Sequence, residues 1–70
     1  MTVRGVLATG AECPEIRARD GRRFALSGSL GRFGTGDEVC VRGRVVAMSI
    51  CMAGEATLAI ESIGPPGDCP

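Results

Sequence analysis

The chain has 70 residues, eight Arg, no Lys, eight Asp plus Glu and no His, so it is neutral and too short for more than one domain. That balance argues against a protein held mainly to nucleic-acid phosphates and against a polybasic membrane attachment. The absence of His excludes a cysteine–histidine pair and any Ser–His–Asp triad.

The first predicted strand covers residues 2–9, where Val3, Gly5 and Leu7 alternate with Arg4, Val6 and Ala8. A second covers 13–19, with Ile16 and Ala18 on one face and Glu15, Arg17 and Arg19 on the other. Asp20-Gly21 then predicts a type I′ hairpin turn. The third strand, 22–27, points Phe24 and Leu26 inward and Arg23 outward. The segment "SGSLGRFGTGDE" holds four glycines and excludes a regular helix, leaving room for a single turn around Leu30 and Phe33. The fourth strand, 37–48, sets Val39, Val41, Gly43 and Val45 on one face and Cys40, Arg42, Arg44 and Val46 on the other. Gly43 in its middle marks a bulge or a sharp bend. The fifth, 56–63, has Leu58 and Ile60 inward and Thr57, Ala59 and Glu61 outward. The tail "GPPGDCP" is expected to be irregular.

Together these predict an all-β, five-stranded OB-like barrel over residues 1–64, its usual helix reduced to a loop or single turn, with an irregular tail at 65–70. An SH3-like barrel is the rival strand order. No apolar run approaches a membrane span, which argues against membrane insertion. The N-terminus lacks the apolar region and cleavage site of a signal peptide, so the expected location is cytoplasmic, or the cell envelope if the chain is a trimmed form.

Four cysteines, Cys13, Cys40, Cys51 and Cys69, allow three full pairings. Cys13 and Cys51 fall in stretches that flank one end of an OB-like barrel, and a bridge between them would contribute about 4 kcal/mol through loop closure. Cys40 shares the outward face of Arg42 and Arg44, and Cys69 can pair with it or with another molecule. Structural zinc sites usually contain closely spaced cysteine pairs; none exists here, so no metal and no cofactor is implied. "GRFGTGDE" lacks the Lys-Ser/Thr of a phosphate loop and is read as a turn. Asp37 and Glu38 are strand neighbours facing opposite ways, and Glu12 and Glu15 are read as solvated. Arg17, Arg19, Arg42 and Arg44 project outward and are the candidate ligand-facing side chains. A single-strand binder also needs aromatic stacking surfaces, and Phe24 and Phe33 are the only rings.

The motifs resemble a family of small bacterial proteins of unknown function. The shared pattern is Glu12-Cys13-Pro14, Asp20-Gly21, then Phe24 and Leu26. It continues with Gly36, Asp37, Val39, Val41 and Gly43, and ends on Ser49, Cys51, Met52 and Gly54. Phe24 stands where the family has Tyr, losing a hydroxyl and keeping the packing. The resemblance implies a small β-barrel, often in proteins routed to the cell envelope, and no activity. The expected role is a non-enzymatic OB-like binding or interaction module. The alternatives are a thiol protein using Cys13, Cys51 and Cys40 for metal binding or redox sensing, and a weak single-stranded nucleic-acid binder. Self-association through a strand edge or Cys69 is the partner the sequence offers.

Overall fold

Among the residues described by the computed structural model, 1–10, 12–47 and 56–70, five strands form. They are β1 (Thr2–Ala8), β2 (Glu15–Ala18), β3 (Arg23–Ser27), β4 (Glu38–Val46) and β5 (Ala56–Gly64). The sheet closes in the order β1-β2-β3-β5-β4, with β4 returning to β1. Every pairing is antiparallel except β3 with β5. This is the OB-like order. Closure removes the sheet edges that would otherwise invite pairing with another chain.

Period-two alternation fills the interior. Val3, Leu7, Ile16, Phe24, Leu26, Val39, Val41 and Leu58 form the buried core. Leu30 and Phe33 pack against it from the β3–β4 connection, where the Phe33 amide donates to the Leu30 carbonyl at 3.1 Å. The helical turn expected here is instead a tight hydrogen-bonded turn, because Gly31 takes φ 61°, outside the right-handed helical region. The connection ends on a tight turn: the Asp37 carboxylate accepts from the Gly34 amide at 2.9 Å, and Gly36 takes φ 95°. That φ is unfavourable for a residue with a Cβ, which accounts for Gly before Asp.

Two glycines let the strands approach closely enough to close. A Cβ on Gly5 would lie 2.2 Å from the Arg17 carbonyl oxygen, and one on Gly43 would lie 2.4 Å from that of Ala59. The β4–β5 register slips between Arg42 and Gly43, leaving Glu61 as the extra residue on β5. The bulge expected at Gly43 is thus present, carried by the strand opposite it.

Several expectations are corrected. The Asp20-Gly21 turn is not type I′. Ala18 bonds both Arg22 and Gly21, giving a three-residue loop in which only Gly21 has positive φ, 93°. A type I turn followed by a left-handed glycine fits the same two residues. The tail is not wholly irregular: Pro66–Asp68 forms a 3-10 turn, seeded by prolines whose φ is already near the helical value. Val45 shares the inward parity of Val41 yet is 56% exposed. The β1–β4 ladder ends where Met1 and Gly43 exchange hydrogen bonds of 2.8 and 2.9 Å, so β4 residues 44–46 have only β5 beside them among the described residues.

Gly5→Val and Gly43→Val should each lower unfolding free energy by about 3 kcal/mol, because backbone rather than a flexible side chain occupies the needed space. Gly34→Ala, with no atom within 4 Å and no positive φ, should stay within about 1 kcal/mol of the parent. Urea denaturation measures both, and a parental midpoint for Gly5→Val would refute the close-approach argument.

Candidate functional site

The outer surface divides into covered and open parts. Glu15, Ala25 and Thr57 lie in one cross-strand row and face outward by parity, yet all three are buried. The strand pattern alone puts Glu15 and Thr57 in solvent. For Glu15 the cause is visible: the β1–β2 connection folds over it, bringing a Cβ position on Gly10 to 3.0 Å from Glu15 Oε2. Arg23 approaches Glu15 Oε1 at 3.9 Å, beyond hydrogen-bond range, and that oxygen is buried without a hydrogen-bond partner. Cys13 lies in the β1–β2 connection, next to this row in sequence. Cys51 lies outside the described residues, and with it the expected Cys13–Cys51 pairing.

Cys40 is also outward by parity but only 3% exposed. It is bonded to Cys69, with Cα atoms 5.4 Å apart, and the tail is thereby fastened across β4 and β5. This takes Cys69 away from intermolecular pairing and Cys40 away from any thiolate set. No described cysteine is a free thiol. No group of three or more metal-ligating side chains occurs among the described residues.

The arginines sort into two sets. Arg4 Nε donates to Glu38 at 3.4 Å, Arg22 Nε donates to Asp20 at 2.7 Å, Arg23 faces Glu15, and Arg32 lies over the Phe33 ring at 5.3 Å. Arg17, Arg19, Arg42 and Arg44 are exposed and make no ion pair or ring contact among the described residues. These are the four the sequence singles out, but they do not form one patch. β1 separates β2 from β4, so Arg17 is paired across from Val6 while Arg42 is paired across from Thr2.

Arg42 stands in a surface hollow of about 350 Å³ beside the disulfide. Ser62, its cross-strand partner, and Asp68 of the tail share the lining. The bridge is what brings Asp68 there, so this hollow depends on a covalent link that the strand pattern alone could not reveal. Sequence reasoning leaves the partner of Cys69 open and misses Asp68.

Asp20 fixes the rim of the β2–β3 hairpin. Its Oδ1 accepts from the Arg22 backbone amide at 3.0 Å and its Oδ2 from the Arg22 guanidinium. The backbone bond, then the guanidinium, hold its carboxyl below the ordinary aspartate value of 3.8. Arg22 in turn lies 5.5 Å from the Phe24 ring centroid.

A family described as protein of unknown function (DUF5818) matches residues 4–66. The chain belongs to that family. No curated protein and no solved structure matches it.

Cys69→Ser should cost about 3.5 kcal/mol, the chain-entropy value for a closed loop of this size, since the bridged residues are 29 apart in sequence. Equal urea midpoints for Cys69→Ser and the parent would overturn that. The Asp20 carboxyl, followed by carbon-detected NMR, should titrate below 3.8 and move only part of the way back in Arg22→Gln, which keeps the backbone amide. Because the folded pKa is depressed, the contribution is present above the unfolded pKa and is lost as pH falls through the folded one.

Proposed function

We propose that the protein is a non-enzymatic binding module, a small OB-like barrel that presents outward arginines on a disulfide-fastened frame. The observation that carries this is the division of the arginines: four face carboxylates or a ring, and Arg17, Arg19, Arg42 and Arg44 make no such contact among the described residues. A guanidinium holds up to five donors and suits carboxylate and phosphate groups, so unengaged arginines are suited to a partner. The sequence adds support, because it has no His to act as a base near neutral pH.

The frame includes a second bridge, Cys13–Cys51. With Cys40 and Cys69 bonded to each other, Cys51 is the one intramolecular partner Cys13 can take. Two bridges suit an oxidising compartment, which supports the cell envelope over the cytoplasm for the working protein.

The test of binding is a screen of nitrogen-labelled protein against small charged compounds, reading arginine Nε–H and backbone amide shifts. Binders should perturb Arg17, Arg19, Arg42 or Arg44, and Arg42→Glu with Arg44→Glu should abolish those that map to β4. Chemical turnover of a bound compound, or binding confined to surfaces without these arginines, would refute the proposal. For the frame, mass spectrometry after alkylation without reductant should find Cys13 and Cys51 protected together in one cross-linked peptide. Labelling of both would refute that bridge.

A further inference from the structure

The hairpin rim has a hollow whose chemistry the binding-module reading leaves unspecified. It measures about 270 Å³, and its floor is Val3 and Ala18. Arg4, Arg19, Arg22, Asp20 and Thr2 line its walls. Three arginines and one aspartate thus share its lining.

The fold forces this concentration of charge. Gly5 and Ala18 are cross-strand partners, so Arg4 and Arg19 stand one residue further on along β1 and past the end of β2. The close approach at Gly5, where a Cβ would meet the Arg17 carbonyl, keeps the two strands tight beneath them. Like charges placed side by side across a sheet repel. Arg22 is held from the opposite side by Asp20 and Phe24. Arg4 uses Nε on Glu38, leaving its terminal amino groups, and Arg22 uses Nε on Asp20, leaving its own. Arg19 makes no bond or ion pair among the described residues.

We propose that this hollow binds a small oxyanion, a phosphate or sulfate group, held by Arg4, Arg19 and Arg22 with the Thr2 hydroxyl as a further donor. An oxyanion relieves the repulsion and accepts from several guanidiniums at once, the geometry in which Arg is used for phosphate recognition. The volume falls just below the ligand-pocket range, roughly 300 to 1,000 Å³, which suits one charged group rather than a large molecule. A polymer backbone would need a continuous basic track. The neutral chain gives none: Asp20 lines the hollow, and Glu38 holds Arg4 Nε.

The proposal deepens the binding-module reading at Arg19, one of its four arginines, and rests on that reading. The test titrates labelled protein with inorganic phosphate, inorganic sulfate and glycerol phosphate at constant ionic strength, with chloride as the reference. Saturable shifts at Thr2, Arg4 and residues 18–22 are expected for all three anions. Tighter binding of glycerol phosphate would mark an esterified phosphate as the source, and equal binding a free oxyanion. Arg19→Gln, an exposed hairpin substitution with no described contact to lose, should weaken binding about tenfold, the loss of one charge-assisted bond. Arg32→Gln, on the exposed β3–β4 connection and outside the hollow, should leave it unchanged. Shifts that track ionic strength without saturating, or equal affinity in Arg19→Gln and the parent, would overturn the oxyanion site. Ligands mapping to Arg42 and Arg44 would then leave the broader reading standing, whereas failure at all four arginines would remove both.

Discussion

The β1–β4 ladder is the constraint on which the rest depends. Five short strands with an aliphatic core bury enough only if the sheet closes, and that ladder is where it closes. Val3 and Val41 are direct partners across it, and Val39 pairs with Gly5. The ladder runs out to the first residue, whose ammonium donates to the Gly43 carbonyl, and back to the Leu7–Asp37 and Gly36–Leu7 bonds at the other end. Glycine at both 5 and 43 follows from geometry: barrel strands cross under tilt, and a side chain at either point would occupy the neighbouring carbonyl. The same approach at Gly5 sets Arg4 beside Arg19, so the charge pattern at the rim is a by-product of closure.

A core this small leaves the outside of the sheet to contribute as well. The tail, drawn over β4 and β5 by Cys40–Cys69, buries the Cys40 side of the sheet, and the β1–β2 connection buries Glu15. In a larger domain such surface would be covered by a helix or a second sheet. Here a six-residue tail and one loop do it, and the disulfide offsets the entropy of holding a tail with few contacts of its own. What stays uncovered, the hairpin rim and the Arg42–Arg44 region of β4, is where the unengaged arginines are.

The strands and the barrel are legible in the sequence because period-two alternation reports which side of a sheet a residue faces. It does not report whether that side is covered. Cys40, Glu15 and Thr57 are each assigned to the correct face and each is buried, because coverage comes from connections whose path has no periodicity. Val45 fails in the opposite sense: its inward parity is correct, but β1 ends short of it. Asp-Gly announces a hairpin without fixing its loop length, since both the two- and three-residue loops want Gly in positive φ. The four arginines are identifiable as outward, while their division between the two sides of β1 requires the strand order.

Overall neutrality says little about the local field. Eight arginines and eight acids would cancel if they were all paired, but among the described residues only three arginines face a carboxylate. Asp37 accepts a backbone amide in the turn before β4, and Glu15 is buried with one oxygen unmatched. Glu38 and Asp20 each serve one arginine through exposed pairs, which solvent screens and which add little to folding. Such pairs rearrange easily, so their arginines stay available to a stronger acceptor. A chain with no net field attracts nothing from a distance, and its selectivity must come from contact geometry. At the hairpin rim that geometry is set by backbone register and by the Asp20 carboxylate's bond to the Arg22 backbone amide, neither of which depends on the ligand being present.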